Sequence, residues 1–145
     1  MPKLKIFLPD VNVWLALSSN RHLHSQTAKA WFEEVGEGQA VFCRITQMGL
    51  LRLLTNRNAM GVDVIDQARA WAVYQMLAAD WRVRYFDEPD GVEGAWRDLT
   101  RKPQPAVRLW TDAYLQAFAQ LWGLQVVSFD RGFQKLAGSN ALILE

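Results

Sequence analysis

The run Ile6-Phe7-Leu8-Pro9-Asp10 constrains this chain more than any other stretch. A short apolar segment meets a proline, which has no N–H for a sheet ladder, so a strand ends there. The acid behind it opens a segment of helical length. Residues 5–17 therefore read as strand, break and helix, with Asp10 at the strand's carboxyl end. In an open α/β sheet ligands bind along that edge, so Asp10 is either a helix N-cap or a site residue.

Half of the 145 residues are hydrophobic and seven are Trp, which suits one domain spanning 1–145 with a substantial core. Lys and Arg number 16 against 15 Asp and Glu, a net charge of +1. No global field draws such a chain to nucleic acid, and any contact of that kind must come from a local patch. The single cysteine, Cys43, excludes an internal disulfide and a cysteine zinc cluster and favours a reducing compartment. In Val41-Phe42-Cys43 it reads as a small buried hydrophobe. No apolar run reaches the roughly 18 residues of a membrane span, and Pro9 and Asp10 cut the first one short of a signal peptide. The expectation is a soluble, cytoplasmic protein with no membrane partner.

Past Asp10, the residues Val11, Trp14, Leu15 and Leu17 set a first helix. His22 and His24 follow in a loop, where two imidazoles without further His or Cys point to a structural role rather than a metal site. Ser25 is expected to cap a helix reaching Val35, with Ala28, Trp31, Phe32 and Val35 inside. Residues 40–43 read as a strand. The helix behind them carries Met48, Leu50, Leu51, Leu53 and Leu54 and looks apolar enough to be largely buried. Residues 56–61 read as a turn. Asp63 reads as the cap of a helix to Ala79 with Ile65, Ala68, Ala72, Tyr74, Met76 and Leu77 on its inner face.

Residues 83–86 suit a strand and 92–99 a short helix. Arg97, Arg101, Lys102 and Arg108 form the most basic local stretch, broken by Pro103 and Pro105 into a loop that is either solvated or a phosphate contact. Residues 110–122 are polar only at Thr111, Asp112, Tyr114, Gln116 and Gln120, so that helix is expected to be buried nearly all round and stopped by Gly123. Residues 124–129 form a continuous apolar run, as in a sheet covered on both faces, and 141–144 a last strand. Strands alternating with helices predict a three-layer α/β/α domain around a mostly parallel sheet.

Three acids share one setting. Asp10 follows Ile-Phe-Leu-Pro, Asp130 follows Val-Val-Ser-Phe, and Asp112 opens the most apolar helix. Each has a plain alternative: a cap for Asp10, a dipole partner for Asp112, a turn former for Asp130. On parallel strands Asp10 and Asp130 share one edge, and Asp112 joins them if its helix starts there. Carboxylates so gathered repel, and a hard divalent cation relieves the repulsion, lowers the pKa of a bound water and neutralises charge on a phosphate. The chemistry suggested is metal-assisted phosphodiester hydrolysis.

The Asp-x-Asn opening (Asp10, Asn12), Trp-Thr-Asp-Ala-Tyr-Leu at 110–115 and Ser-Phe-Asp-Arg-Gly-Phe at 128–133 resemble the PIN domain, specifically VapC-type ribonuclease toxins of type II toxin-antitoxin systems. The resemblance implies a Mg²⁺- or Mn²⁺-dependent endoribonuclease on a PIN-like α/β/α fold, acting on RNA, held inactive by a cognate antitoxin and commonly a homodimer. It implies Asp10, Asp112 and Asp130 as catalytic, metal-binding acids, with Asn12 and Ser128 in support. One position departs from the pattern. The family places an acid, mostly Glu, in Thr-x-x-Glu-Leu, and the matching segment here is Thr46-Gln47-Met48-Gly49-Leu50, so Gly49 stands where that carboxylate would be. Glu93 is the nearest substitute, and Gln47 a neutral one.

Arg44, Arg52, Arg101, Lys102 and Arg108 are candidates for RNA phosphates, while Arg52 could equally pair with the acids or an antitoxin. Two other readings compete. A haloacid-dehalogenase-like phosphatase expects Asp-x-Asp and a downstream Lys, where this chain has Asp10-x-Asn12. A degenerate PIN fold would serve as a non-catalytic binding module.

Overall fold

The computed structural model describes residues 4–145. Five strands, β1 (Phe7–Pro9), β2 (Ala40–Phe42), β3 (Val83–Tyr85), β4 (Gln125–Ser128) and β5 (Leu142–Ile143), pair in the order β3-β2-β1-β4-β5. Every pairing is parallel. β1 is central, with Pro9 beside Val127 of β4. The chain proceeds from β1 to β2 on one side and returns to β4 on the other, so strand order reverses at β1. In open α/β sheets the crevice beyond the strand ends at such a reversal is the ligand site.

Helices α1 (Val11–Ser18), α2 (Ser25–Glu33), α3 (Arg44–Leu54), α4 (Arg57–Met60), α5 (Gln67–Ala78), α6 (Val92–Thr100) and α7 (Leu109–Trp122) complete the described residues with two 3₁₀ turns, Gly61–Asp63 and Arg131–Lys135. Alternation along the strands splits the core in two. Ala40 and Phe42 face Trp14, Leu15, Phe32, Leu50 and Ala70, where Trp14 stacks on Phe42 at 3.8 Å between ring centroids. Leu8, Val41 and Val126 face Val92, Leu99, Ala113, Leu115, Phe118 and Phe133. The sheet is covered on both faces, as the apolar run at 124–129 requires, and the α/β/α layering follows from that.

Several local expectations are corrected. Ser25 is the buried first residue of α2, preceded by His24, and no side chain caps that helix. Residues 57–60 form α4, capped by Asn56 Oδ1, which accepts from the Asn58 and Ala59 N–H groups. Asp66, not Asp63, caps α5 by accepting from Arg69 N–H at 2.8 Å. Asp63 lies in the preceding 3₁₀ turn and pairs with Arg21. On α5 only Ala70 is fully buried, and Ala68, Ala72 and Met76 are exposed, because this helix is packed along a single narrow line.

α3 is likewise one-sided. Thr46, Gln47, Leu50 and Leu54 are buried and Met48 is exposed. α7 is buried from Ala113 through Ala119 except for the half-buried Tyr114, but its final turn, with Leu121 and Trp122, is exposed. Arg97 belongs to α6, not to the basic loop, and pairs with Glu93 one turn earlier. Cys43 is buried as expected, and burial pushes its thiol up.

Candidate active site

Asp10 follows directly on β1, and its backbone N–H continues the ladder to Val127 O at 2.8 Å. Pro9 ends the strand, the chain turns, and α1 begins one residue later. The cap and site readings of Asp10 turn out to be compatible. Oδ1 accepts from the Val11 N–H at 2.7 Å, and Oδ2 accepts from the Ser128 hydroxyl at 3.0 Å. Two donors fix the Asp10 carboxylate at the β1–β4 junction.

Ser128, the last residue of β4, has no exposed surface. Its Oγ donates to Asp10 and accepts from Asn12 Nδ2 (3.3 Å) and from the Asp130 backbone N–H (2.9 Å). Asn12 Oδ1 in turn accepts from the Phe129 N–H at 3.4 Å. Asp130 Oδ1 accepts from the Gly132 N–H at 2.8 Å, which opens the 3₁₀ turn. Asp10, Asn12, Ser128 and Asp130 are thus one bonded unit built from the carboxyl ends of two neighbouring strands.

Asp112 arrives from the first turn of α7. Its carboxyl is pushed up to about 6, first by burial and then by the charges of Asp10 and Asp130, with Arg108 pulling the other way. Burial also raises Asp10, against the two hydrogen bonds that lower it, and Asp130 adds to the rise. Asp112 thus feels both other acids and Asp10 feels Asp130, so the three carboxylates act on one another through a shared field. Among the described residues no three His, Cys, Asp or Glu side chains are gathered tightly enough to hold an ion on protein ligands alone. The set is an open cluster of hard oxygen donors with excess negative charge. That chemistry fits a Mg²⁺-like ion, which binds through one or two carboxylates and keeps several waters.

Glu93 lies in the first turn of α6. It is 78% exposed, bound to Arg97, and absent from the charges that act on Asp112. A Cβ at Gly49 would come 2.6 Å from Val11 Cγ2, so a side chain there requires Val11 or its helix to shift. α3 crosses α1 at that point, one residue from Asp10. Gln47 is buried and accepts from the Arg44 guanidinium at 2.5 Å.

Among the basic candidates, Arg44 opens α3 directly beyond β2 and lies over the Tyr85 ring at 5.1 Å. Arg108 precedes α7 and acts on Asp112. Arg52 lies two turns further along α3, roughly 12 Å from Arg44 by helical rise. There it lines a surface groove with Met48, Leu51, Thr55, Gln67 and Trp71. Arg101 is exposed and paired with Asp98, and Lys102 is exposed beside it.

One feature was not foreseen from sequence. His24 stacks on Phe129, the residue between Ser128 and Asp130. Nothing in the spacing of His22 and His24 signals a contact across more than a hundred residues.

Residues 7–139 match the PIN domain profile. The chain belongs to the PIN domain family. Among curated PIN-domain relatives, Ribonuclease VapC41 of Mycobacterium tuberculosis is 38% identical over 144 residues, covering 96% of this chain and 99% of that one. Ribonuclease VapC39 of the same species is 32% identical over 126 residues, covering 85% and 87%. The crystal structure of Mycobacterium tuberculosis VapC20, described as a Sarcin-Ricin loop cleaving toxin, superposes with a TM-score of 0.70 at 19% identity, covering 96% and 99%. DNA-bound VapBC from Salmonella typhimurium gives 0.66 at 20% identity, covering 95% and 97%. At those identities the superpositions establish the PIN fold, and the phosphatase reading gives way to it.

Proposed function

We propose that this PIN domain is a metal-dependent endoribonuclease toxin of the VapC kind, using Asp10, Asp112 and Asp130 to hold a divalent ion. The hydrolase class rests on the near full-length identity to relatives named ribonucleases. The single observation that carries the assignment of residues is the rise of the Asp112 carboxyl, driven after burial by the charges of Asp10 and Asp130, with Asp130 also acting on Asp10.

A bound Mg²⁺ or Mn²⁺ would supply charge neutralisation at a phosphate and a water of lowered pKa. The chain's own residues supply the rest. Ser128 and the Val11 N–H orient the Asp10 oxygens, and Asn12 locks Ser128 and the backbone before Asp130. Arg44 and Arg108, at the starts of α3 and α7, are the basic groups best placed to meet an RNA phosphate. Arg101 and Lys102 supply a more distant, exposed patch.

Several structural neighbours are toxin-antitoxin complexes, among them one from Klebsiella pneumoniae. An antitoxin partner follows for this chain on the same reading. The groove at Arg52, with the exposed apolar Met48 and Trp71, is the surface suited to it or to a second copy in a homodimer.

One observation favours a second reading, a PIN fold retained as a non-catalytic binding module: the space for a side chain at Gly49 is filled by Val11. The two separate cleanly. Purified protein with Mg²⁺ or Mn²⁺ is expected to cleave RNA, and Asp10→Asn to abolish cleavage with the fold intact. Absence of cleavage by the wild type, or equal cleavage by the variant, contradicts the ribonuclease.

A further inference from the structure

The loop between α1 and α2 brings an aromatic surface to the acid edge that the acids themselves do not use. The His24 imidazole lies on the Phe129 ring with centroids 4.4 Å apart and planes 20° from parallel. Phe129 is fixed from beneath, because its N–H is held by Asn12, the side chain that also holds Ser128. His24 is fixed from its own side, its N–H donating to His22 Nδ1 at 3.0 Å. The two imidazoles do not form a metal centre: their rings are 5.9 Å apart, and His22 Nδ1 is already engaged as an acceptor. His22 acts as the brace, and burial together with His24 holds its pKa down. Phe129 is half-buried while His24 is exposed, so the stack ends in a ring open to solvent.

We propose that His24, seated on Phe129, is a stacking platform for an unpaired base next to the phosphate that is cut. The inference rests on the ribonuclease reading above. The exposed His24 ring, carried on the residue that adjoins Asp130, matches the exposed π-face of an unstacked base, whereas duplex RNA keeps those faces covered. The platform is ordered before substrate arrives, which limits the entropy lost on binding. His24 in this role contacts substrate without acting on the reacting atoms.

The test uses the cleavage-silent Asp10→Asn protein and a random-sequence single-stranded RNA of roughly 12 nucleotides carrying 2-aminopurine. Binding with quenching of the fluorophore is expected. His24→Ala should weaken binding roughly ten- to hundredfold, the loss expected when one stacked base is removed. His24→Phe should restore both affinity and quenching. His24→Leu, which fills the space over Phe129 without a π-face, should behave like His24→Ala. In the active protein, His24→Ala should raise KM more than it lowers kcat. If His24→Ala or His24→Leu binds as the parent does, the platform is wrong while the ribonuclease reading survives. If the parent itself binds no RNA, the platform is likewise wrong, and the ribonuclease reading is decided separately by cleavage with the wild-type protein and Mg²⁺ or Mn²⁺.

Discussion

The Ser128 hydroxyl donates to Asp10 Oδ2 at 3.0 Å across a sequence separation of 118 residues. That bond ties the ends of the first and fourth strands into one rigid edge. It also uses the full hydrogen-bonding capacity of a hydroxyl with no solvent access, since the same oxygen accepts from Asn12 and Asp130.

Ser128→Ala removes that bond and strands two donors at a buried point. Groups that orient metal-binding carboxylates typically cost ten- to a hundredfold in affinity or activity when lost. We expect RNA cleavage to fall by about that factor with the secondary structure unchanged by circular dichroism. Unaltered cleavage would show that Asp10 needs no orientation from β4.

Asp112 gives a pH signature with a definite sign. Its carboxyl is pushed up to about 6 in the folded chain, against 3.8 for the free side chain. Between those values the folded protein keeps a proton that the unfolded chain has released, so this residue's contribution to stability falls as pH rises from about 4 to about 6. Asp80 and its partner Arg82 act in the opposite sense, which makes the comparison with Asp112→Asn the informative one. In metal-free protein the variant should match wild type near pH 4 and exceed it by a few degrees in Tm near pH 7, roughly the effect of 1 kcal/mol in a chain of this size. The same variant should not cleave RNA. For wild type, raising Mg²⁺ should move the acid limb of the cleavage profile to lower pH, because ion and proton compete for the carboxylate.

The Gly49–Val11 contact makes a prediction about packing. In mid-helix, alanine for glycine normally gains about 1 kcal/mol. Here the new Cβ would meet a β-branched side chain at 2.6 Å. Val11 has little rotamer freedom in a helix, and overpacking of that kind costs about 1–3 kcal/mol. Gly49→Ala is therefore expected to destabilise in urea titration, and the same change in a Val11→Ala background to stabilise. A stabilising Gly49→Ala in the presence of Val11 would mean that the two helices are not held at this distance.

The placement of the candidate acids was largely legible in the sequence, and the reasons are physical. Pro9 and the break after Phe129 mark strand ends, and parallel strands bring their ends to one edge, so Asp10 and Asp130 could be paired before any coordinates were known. Asp112 required the further step that α7 starts from that edge. Less was readable where one residue type serves two roles. Asp63 and Asp66 both precede an apolar stretch, and Asp66 wins the cap because Asp63 sits in a 3₁₀ turn and binds Arg21. The inner face of α5 was misassigned because packing on one narrow line leaves no broad apolar stripe to read. The His24–Phe129 stack and the Gly49–Val11 approach are long-range contacts that leave no periodic trace.

The proposed convergence of Asp10, Asp112 and Asp130 on one divalent ion is tested most directly by calorimetric titration with Mn²⁺. Wild-type protein should bind Mn²⁺. Asp10→Asn and Asp112→Asn should each lose that binding while remaining folded, and Glu93→Gln should keep it. Mn²⁺ binding that survives both Asp10→Asn and Asp112→Asn would contradict the account.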